Sequence, residues 1–476
     1  MTALGGLLAG TPDLVNVGVE SFAAPPAAHG ANVVSLDWRP PADGDDALGL
    51  RLARLVADPR IEAANGEALE RMLAVRPHWV DVARAGDVLP ELDEARLLLH
   101  AGPPIAWEDM CGPMRAGVVG AALLEGWADS PEAAERLAGA GEISFAPCHH
   151  HDAVGPMAGI ISASMPLIVA EDPATGARAY TNLNEGAGRC LRYGALGDDV
   201  MERLRWMNER LGPSLRAALR DLDEPIDLKS ITAQALQMGD ECHSRNVASS
   251  ALLTRALAPA LARHADLGGV EALDFLRTND YWFLNFSMAA SKLGTMAGHG
   301  IEHSTVVTTF ARNGVTVGIR VSGLGDAWFT APAAAIDGLY FAGYGPEDAN
   351  PDIGDSAIAE TYGLGGFALA AAPAIVGFVG GTTAEAIRAS EDMATITVGR
   401  HREYQLPVLG FAGSPVGIDV LKVVDSGLEP IITTGIAHRE PGIGQIGAGI
   451  ARAPLGCFGA ALRALAAELG VAGEGL

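Results

Sequence analysis

The chain has 476 residues, a length that predicts about two to four domains with a substantial core. Its 33 Lys and Arg residues against 58 Asp and Glu residues give a formal net charge of −25. This charge argues against a general nucleic-acid-binding protein and against docking on anionic membranes, because both rely on Lys and Arg. It does not exclude an anionic small-molecule ligand, since a local basic site can lie in an acidic protein.

The numbers of glycine and cysteine residues further restrict the kind of protein and its cellular compartment. The 59 glycines exceed the usual ~7% and show no period, so they predict turns and close backbone approaches in a folded protein. Five cysteines without a C-x-x-C pair favour a reducing compartment over a disulfide framework. The first residues lack the basic region of a secretory signal, so we expect a cytoplasmic protein.

The N-terminal part alternates strand and helix patterns. Strands are predicted at 14–19, 32–36, 78–82 and 96–100, and helices at 47–56 and 67–75. This alternation predicts βαβ units with a parallel sheet, that is, an α/β domain over residues 1–105.

The predicted secondary structure changes twice in the middle of the chain. Residues 106–140 have helical spacing, and residues 167–170 and 178–182 predict a hairpin. Four segments with 3.6-residue spacing then follow, the third capped by Asp227. They predict a small helical insertion over residues 197–278.

Mixed structure returns after the insertion. The β-branched runs around Asn313-Gly314 predict a hairpin, and residues 338–341 and 430–434 predict strands. The uncharged stretch 361–384 is long enough to span a bilayer, but its glycines and Pro373 favour a buried helix over 363–381. The fold class is therefore α/β and multidomain, with residues 106–196 and 279–476 forming a mixed α/β core.

The densest polar cluster is Cys148-His149-His150-His151-Asp152. If it lies on a strand, neighbouring side chains point to opposite faces, so His149 and His151 converge. Imidazoles there can act as general acid and base or contact phosphate. A buried polar network and a metal site are the alternatives.

Two further motifs match known patterns only in part. His299-x-x-Glu302-His303 has the letters of a zinc motif, but the glycines around it weaken a helix. Gly442, Gly444 and Gly447 match the G-x-G-x-x-G pattern, yet no βαβ unit follows them. Their backbone N–H groups can still form an anion nest.

Amide and guanidinium groups at two places suit a planar ligand. Asn182, Asn184 and Arg189 follow a predicted strand and can donate hydrogen bonds to a carboxylate or ureido group, or they form a polar turn. Asn350 lies in the polar loop 346–355, which could bind amide groups or a cation, or be an ordered surface loop.

Several long motifs resemble the YahG/YlbE-like family. They are Asp37-Trp38-Arg39-Pro40-Pro41, His149-His150-His151-Asp152 with Gly155-Pro156-Met157, Arg312-Asn313-Gly314, Ser322-Gly323-Leu-Gly325-Asp326 with Trp328, Gly343-Tyr344-Gly345-Pro346-Glu347-Asp348, and Thr434-Gly435-Ile-Ala-His438. The resemblance covers nearly the whole chain. It implies a multidomain α/β protein with a small helical domain.

The resemblance also implies a function in ureide nitrogen catabolism. AllG-type members resemble one subunit of an oxamate carbamoyltransferase, which works with an FdrA-like subunit and a third subunit. Such an enzyme converts oxalurate and phosphate to oxamate and carbamoyl phosphate. We expect an oligomer with these partners, a small anionic ureido substrate and phosphate as ligands, and neither a cofactor nor a metal.

These observations give a first hypothesis for the site. Arg312 or Arg320 and the loop 442–449 would hold phosphate, and His149 or His151 would transfer protons. Asn182 and Asn184 would bind the carboxylate or amide. If the ligands are small anions, Arg189, Arg312, Arg320 and Arg439 should line a locally positive pocket. The alternatives are a non-catalytic scaffold or regulatory subunit and a metal-dependent amidohydrolase.

Overall fold

The computed structural model describes residues 10–36 and 40–471, a mixed α/β fold that confirms the expected class. Asp37, Trp38 and Arg39, which contribute to the family resemblance, lie outside the described residues. The strands are β1 (Asp13–Val17), β2 (Asn32–Leu36), β3 (His78–Arg84), β4 (Leu97–His100), β5 (Ser144–Pro147), β6 (Ala153–Val154), β7 (Pro166–Glu171), β8 (Arg178–Asn182), β9 (Ile226–Asp227), β10 (Val307–Asn313), β11 (Thr316–Val321), β12 (Phe329–Pro332), β13 (Asp337–Tyr340), β14 (Ile353–Gly354), β15 (Thr397–Leu406), β16 (Ala412–Ile418), β17 (Ile431–Ala437) and β18 (Gln445–Arg452). The longer helices are Asp46–Val56, Pro59–Ala74, Gly112–Leu124, Pro131–Gly139, Asp198–Trp206, Gly212–Arg220, Leu228–Gln237, Val247–Arg263, Gly269–Leu276, Leu284–Ala297, Thr383–Thr395 and Leu455–Glu468.

The N-terminal strands pair in three different sheets. β1 and β2 are parallel, as expected, and β4 is parallel to β5. β3, however, pairs antiparallel with both β7 and β9. The prediction of one parallel sheet fails for β3 because the residue pattern of a strand sets which of its faces are buried, but does not select its partner.

A five-stranded sheet carries the helices of the middle region on one face. Its strand order is β6-β8-β7-β3-β9, and the predicted hairpin is β7–β8. Trp79 of β3 and Ile168 of β7 share a core with Leu257 and Phe286 of the helices. Asp227 caps the helix Leu228–Gln237 as predicted, because its carboxylate accepts a hydrogen bond from the Ser230 N–H at 3.0 Å.

The C-terminal region contains the predicted Asn-Gly hairpin and a segment that differs from prediction. β10 and β11 form the hairpin, inside a sheet of order β12-β11-β10-β14. Residues 363–381 form no continuous helix, but the 3-10 segments Gly365–Ala371 and Pro373–Ile375 and one short α-helical turn. Gly365 with φ +55° and Pro373 break the regular helical hydrogen bonding.

A membrane span is the alternative prediction for the uncharged stretch 361–384. In the described ranges, none of the helices has both the length and the apolar content that a bilayer crossing requires.

The helix Leu284–Ala297, called here the central helix, lies between the five-stranded sheet and the four-stranded sheet. It contacts β7 and β8 of the five-stranded sheet and β10 of the four-stranded sheet. Residues 284–295 are all buried. Close packing depends on Gly294, because a Cβ atom there would lie 2.1 Å from Cε2 of Tyr362.

We expect Gly294→Ala to lower the melting temperature. Helix propensity alone favours alanine by up to ~1 kcal/mol, so a loss of stability would report the steric contact with Tyr362. Gly459→Ala is the matched control in the helix Leu455–Glu468, where the nearest atom lies 3.5 Å from the new Cβ. Thermal unfolding of both variants checks this packing, and equal shifts in the two would contradict it.

Candidate functional site

A cavity of about 360 Å³ lies where the central helix, the four-stranded sheet and the histidine cluster meet. Two other cavities are larger, but this one brings the predicted residues His149 and Arg320 together with a second buried cation, Lys292. Its lining residues are His149, His150, Asp152, Lys292, Met296, His299, Thr308, Thr309, Arg320 and Asp326.

The central helix and an irregular strand pair position most of this lining. Lys292 lies near the C-terminal end of the central helix. In β10 the pairing shifts between Val307 and Thr309, and Thr309 then lies opposite Arg320 of β11. Such a bulge lets successive residues face one side, so both Thr308 and Thr309 reach the cavity.

The histidine cluster folds as a 3-10 turn, Cys148–His151, and not as a strand. His149 is fully buried at the cavity, and His150 lines its outer part. His151 lies elsewhere, with Nδ1 2.7 Å from Oε1 of Glu91. The predicted convergence of His149 with His151 is therefore wrong, because a 3-10 helix, with about three residues per turn, does not alternate its side chains as a strand does.

The two cations of the cavity are buried. Lys292 is 3% exposed and Arg320 is 6% exposed. Burial lowers the pKa of Lys292 to about 8, and it also lowers the pKa of Arg320. The acidic side chains of the lining, Asp152 and Asp326, are both exposed at the mouth.

The histidines of the cavity are neutral at neutral pH. Burial, reinforced by the charge of Arg320, lowers the pKa of His299 to about 4. Burial holds the pKa of His149 well below its ordinary value, with Lys292 adding to the effect. Within the part of the chain that the structure describes, both ring nitrogens of His149 and Nε of Arg320 are buried without a hydrogen-bond partner. Buried polar atoms of this kind are rare and indicate a place where a ligand or water binds.

A buried carboxyl group lies beside His149, behind the lining of the cavity. Oδ1 of Asp355 accepts a hydrogen bond from Gly102 N at 2.8 Å, and Oδ2 accepts one from Gly155 N at 3.0 Å. Nε2 of His149 lies 3.5 Å from Oδ1 of the same residue. Burial raises the pKa of Asp355 to about 7. This carboxyl group therefore ties the loop at Gly102 and the loop at Gly155 to the position of His149.

Arg312 does not belong to this cavity. Its guanidinium is fully buried and bidentate to Asp352, with Nε to Oδ2 at 2.7 Å and Nη2 to Oδ1 at 2.9 Å. It also donates to the carbonyl of Gly354 and to Thr434 Oγ1. With its donors committed to the protein, Arg312 links β10 to β14 and β17 and has no geometry for phosphate.

The amide cluster is a buried network of the fold. Nδ2 of Asn184 donates to Oδ1 of Asn285 at 2.8 Å, and Nδ2 of Asn285 donates to Oδ1 of Asn182 at 2.9 Å. Arg189 lies at the surface, where it donates to the carbonyl oxygens of Gly442 and Leu196. The two asparagines are therefore joined through Asn285, Arg189 binds the backbone, and all three lie away from the cavity.

The remaining predicted residues are also dispersed. Asn350 is buried and donates to its neighbour's carbonyl oxygen at Pro351. Gly442 and Gly444 lie in the turn before β18, and Gly447 is inside β18, paired with Tyr340 and Ile436. Gly447 therefore lies in an antiparallel strand and not at the start of a helix, where an anion nest would form.

The basic residues do not form the pocket that the charge analysis predicted. Of Arg189, Arg312, Arg320 and Arg439, the cavity contains Arg320 alone. Arg439 lies exposed, and its N–H donates to the carbonyl of Asp348. The second cation of the cavity is Lys292.

The zinc-like motif has no helix to present it. His299 follows the central helix and hydrogen-bonds Thr308 Oγ1 at 2.7 Å, whereas His303 has φ +71° and lies 3.8 Å from Glu302. Across residues 10–36 and 40–471, no three His, Cys, Asp or Glu side chains are grouped closely enough to hold a metal ion.

Sequence reasoning missed Lys292 and Asp326, and it assigned His299 only to the zinc pattern. Lys292 does carry a signal: it is the only charged residue in the apolar segment Leu284–Ala297. A charged side chain inside a helix that is otherwise apolar is almost never fully buried unless it is paired or functional.

The fold and this cavity define a mixed α/β protein with a buried cationic cavity. A family model described as "Oxamate carbamoyltransferase subunit AllG" matches residues 143–356, which include every residue that lines the cavity. Together with the relatives that follow, this match shows that the chain belongs to the family of AllG and YahG, and it confirms the resemblance seen in the motifs.

The relatives cover nearly all of the chain. Oxamate carbamoyltransferase subunit AllG of Escherichia coli K12 is 51% identical over 414 residues, 86% of this chain and 99% of the relative. The uncharacterised protein YahG of the same organism is 46% identical over 464 residues, 96% of this chain and 98% of the relative. A crystal structure of a conserved protein of unknown function from Enterococcus faecalis V583 has a TM-score of 0.83 and 49% identity, covering 86% of this chain and 98% of that one.

The two arginines of the hairpin should differ sharply when replaced. Arg312→Met leaves the Asp352 carboxylate buried and unpaired, so we expect a loss of about 3–5 kcal/mol in the free energy of unfolding. Arg320→Met removes a cation whose burial is unfavourable, so stability should stay constant or rise. Urea unfolding measures both, and a comparable loss in the two variants would contradict these assignments.

Lys292 should reveal its lowered pKa through the pH dependence of stability. The folded protein releases the proton near pH 8, whereas the unfolded chain retains it to about pH 10.5. Between these values the unfolded state binds more protons, so wild-type stability rises with pH relative to Lys292→Met, by at most about 1.4 kcal/mol per pH unit. Urea unfolding of both proteins at pH 7 to 10 tests this, and a pH-independent difference would refute it.

Proposed function

We propose that this chain is a subunit of a carbamoyltransferase and that its cationic cavity binds phosphate and a ureido substrate. One observation carries the proposal. Two buried cations, Lys292 and Arg320, and the unpartnered ring of His149 surround one cavity in a chain of net charge −25. Within the described residues Lys292 forms no ion pair and Arg320 pairs only with the exposed carboxylate of Asp326, so a bound anion would offset the cost of burying these cations.

The reaction we assign is the conversion of oxalurate and phosphate to oxamate and carbamoyl phosphate. A phosphate oxygen forms a bond with the ureido carbon, and the bond from that carbon to the nitrogen of the oxamate half breaks. The proton of the attacking hydrogen phosphate ends on this nitrogen, so atoms and charges balance. Catalysis needs the anions held together, the developing oxyanion stabilised and the proton moved.

The residues of the cavity suit these three tasks. The Lys292 ammonium group, a compact point charge, is assigned to phosphate, and Arg320 to the ureido substrate. His149 is assigned to proton transfer, since a neutral imidazole can accept a proton at one nitrogen and donate one from the other. Both of its ring nitrogens are buried and lack a hydrogen-bond partner among the described residues. Thr308 and Thr309 add hydroxyl groups to the wall.

The comparisons support the reaction class. The Escherichia coli relative named as an oxamate carbamoyltransferase subunit aligns over 99% of its length with this chain. Its name also supports the proposal that this chain works with other subunits. We propose an FdrA-like subunit and a third subunit as these partners, acting in ureide nitrogen catabolism.

The assay is phosphate-dependent formation of carbamoyl phosphate from oxalurate, with the chain alone and together with its partner subunits. We expect His149→Gln to lower the rate by about 10²–10⁴, the usual contribution of a proton-transfer group. Lys292→Met should raise the KM for phosphate. His151→Gln is the matched control, because His151 lies outside the cavity beside Glu91.

Three results would contradict parts of the proposal. Absence of activity in every subunit combination would remove the reaction, and full activity of His149→Gln in an active complex would remove the assignment of proton transfer. A rate lost equally in His149→Gln and His151→Gln would place the effect in the 3-10 turn and not in the cavity.

A further inference from the structure

Asp326 lies at the mouth of the cavity in an unusual setting. Its side chain is 88% exposed, yet its carboxylate contacts the guanidinium of Arg320, which is only 7% exposed. Oδ1 of Asp326 also lies 3.6 Å from Nε2 of His299. An exposed carboxylate therefore reaches inward to two groups of the cavity wall.

Arg320 and His299 form a corner that suits a planar carboxylate. Nη2 of Arg320 lies 3.4 Å from Nε2 of His299, and His299 is held in place by Thr308 Oγ1 at 2.7 Å. The ring of Trp328 lies 6.0 Å from the guanidinium carbon. Nε of Arg320 is buried and has no hydrogen-bond partner among residues 10–36 and 40–471, so the guanidinium retains donor capacity for a ligand.

We propose that this corner is a carboxylate subsite and that Asp326 occupies it as an intramolecular competitor of the ligand. The inference rests on the proposed function and assigns the subsite to the carboxylate of the oxamate half of the substrate. When that carboxylate binds, it replaces Asp326 on Arg320. Lys292, deeper in the cavity, is left for phosphate.

The chain around Asp326 permits this exchange. Asp326 follows Gly325, whose φ of +56° is a conformation that glycine adopts freely. A Cβ at Gly325 would meet open space, so the loop is not packed against the protein at that point. Only the Arg320 side of the ion pair is buried, so the exposed Asp326 carboxylate can return to water when a ligand carboxylate takes its place on Arg320.

The exchange also changes the charge of the cavity. With Asp326 in place, the cations Lys292 and Arg320 face the two carboxylates of Asp152 and Asp326. Once Asp326 leaves, the wall has a net positive charge. A single carboxylate of the ligand would restore the balance.

Oxamate binding by the full chain, measured by isothermal titration calorimetry, tests the competition. We expect Asp326→Asn to tighten oxamate binding by about three- to tenfold, because the ligand no longer displaces a carboxylate. Arg320→Met should weaken or abolish binding. Glu302→Gln is the matched control: it removes the same charge from a side chain that is also 88% exposed but lies outside the cavity, and it should leave the affinity unchanged.

A positioning role for Asp326 predicts the opposite sign, so weaker or unchanged oxamate binding by Asp326→Asn overturns the inference. Equal tightening by Glu302→Gln also overturns it, because the effect would then be one of net charge. A parallel titration with inorganic phosphate separates the two proposals. Phosphate binding that Lys292→Met abolishes keeps the cavity as the site even if the competition fails, whereas no binding of either ligand to any variant removes both.

Discussion

The burial of two cations without a buried carboxylate in contact with them is the constraint on which the site depends. Within the described ranges, Lys292 forms no ion pair, and its ammonium donates to the carbonyl of His149 at 3.3 Å. Desolvation then sets the properties of the whole cavity. It lowers the pKa of Lys292 to about 8 and keeps the nearby imidazoles neutral. The wall therefore combines two buried cationic side chains with imidazoles that are neutral at neutral pH.

The fold maintains this arrangement by placing the cations on rigid elements. Lys292 lies on a helix packed between two sheets, and Arg320 lies on a strand paired on both sides. Asp355 and Arg312 use their charges to join loops and strands rather than to bind ligands. Removing one partner of a buried ion pair is strongly destabilising. Arg312, the other arginine of the β10–β11 hairpin, therefore stabilises the fold through its ion pair with Asp352.

Local features were predictable from the sequence, and features that depend on distant packing were not. The Asn313 side chain accepts hydrogen bonds from Val315 N and Thr316 N, so the hairpin is encoded within four residues. The cap at Asp227 is equally local. By contrast, the sequence pattern of β3 does not reveal its antiparallel partners. The burial of Lys292 depends on the packing of its helix against two sheets whose strands lie elsewhere in the sequence.

The candidate site shows the same division. His149 and Arg320 were among the predicted residues, because histidines and arginines near glycine-rich segments are natural candidates for anion chemistry. The companion of His149 was misassigned, since Asp152 with φ +51° ends a 3-10 turn that no strand pattern anticipates. The Asn182–Asn184 cluster has the polarity of a binding site, but its partner Asn285 is about a hundred residues away, so its role as a closed network was not visible.

The most direct test of the central claim is a crystal structure of the protein with carbamoyl phosphate or with oxamate and phosphate. The account predicts density for the anion within hydrogen-bond distance of Lys292 Nζ and the Arg320 guanidinium, next to the His149 ring. Density at the Gly442–Gly447 turn or at the Asn182–Asn184 cluster, with the cavity empty, would contradict it.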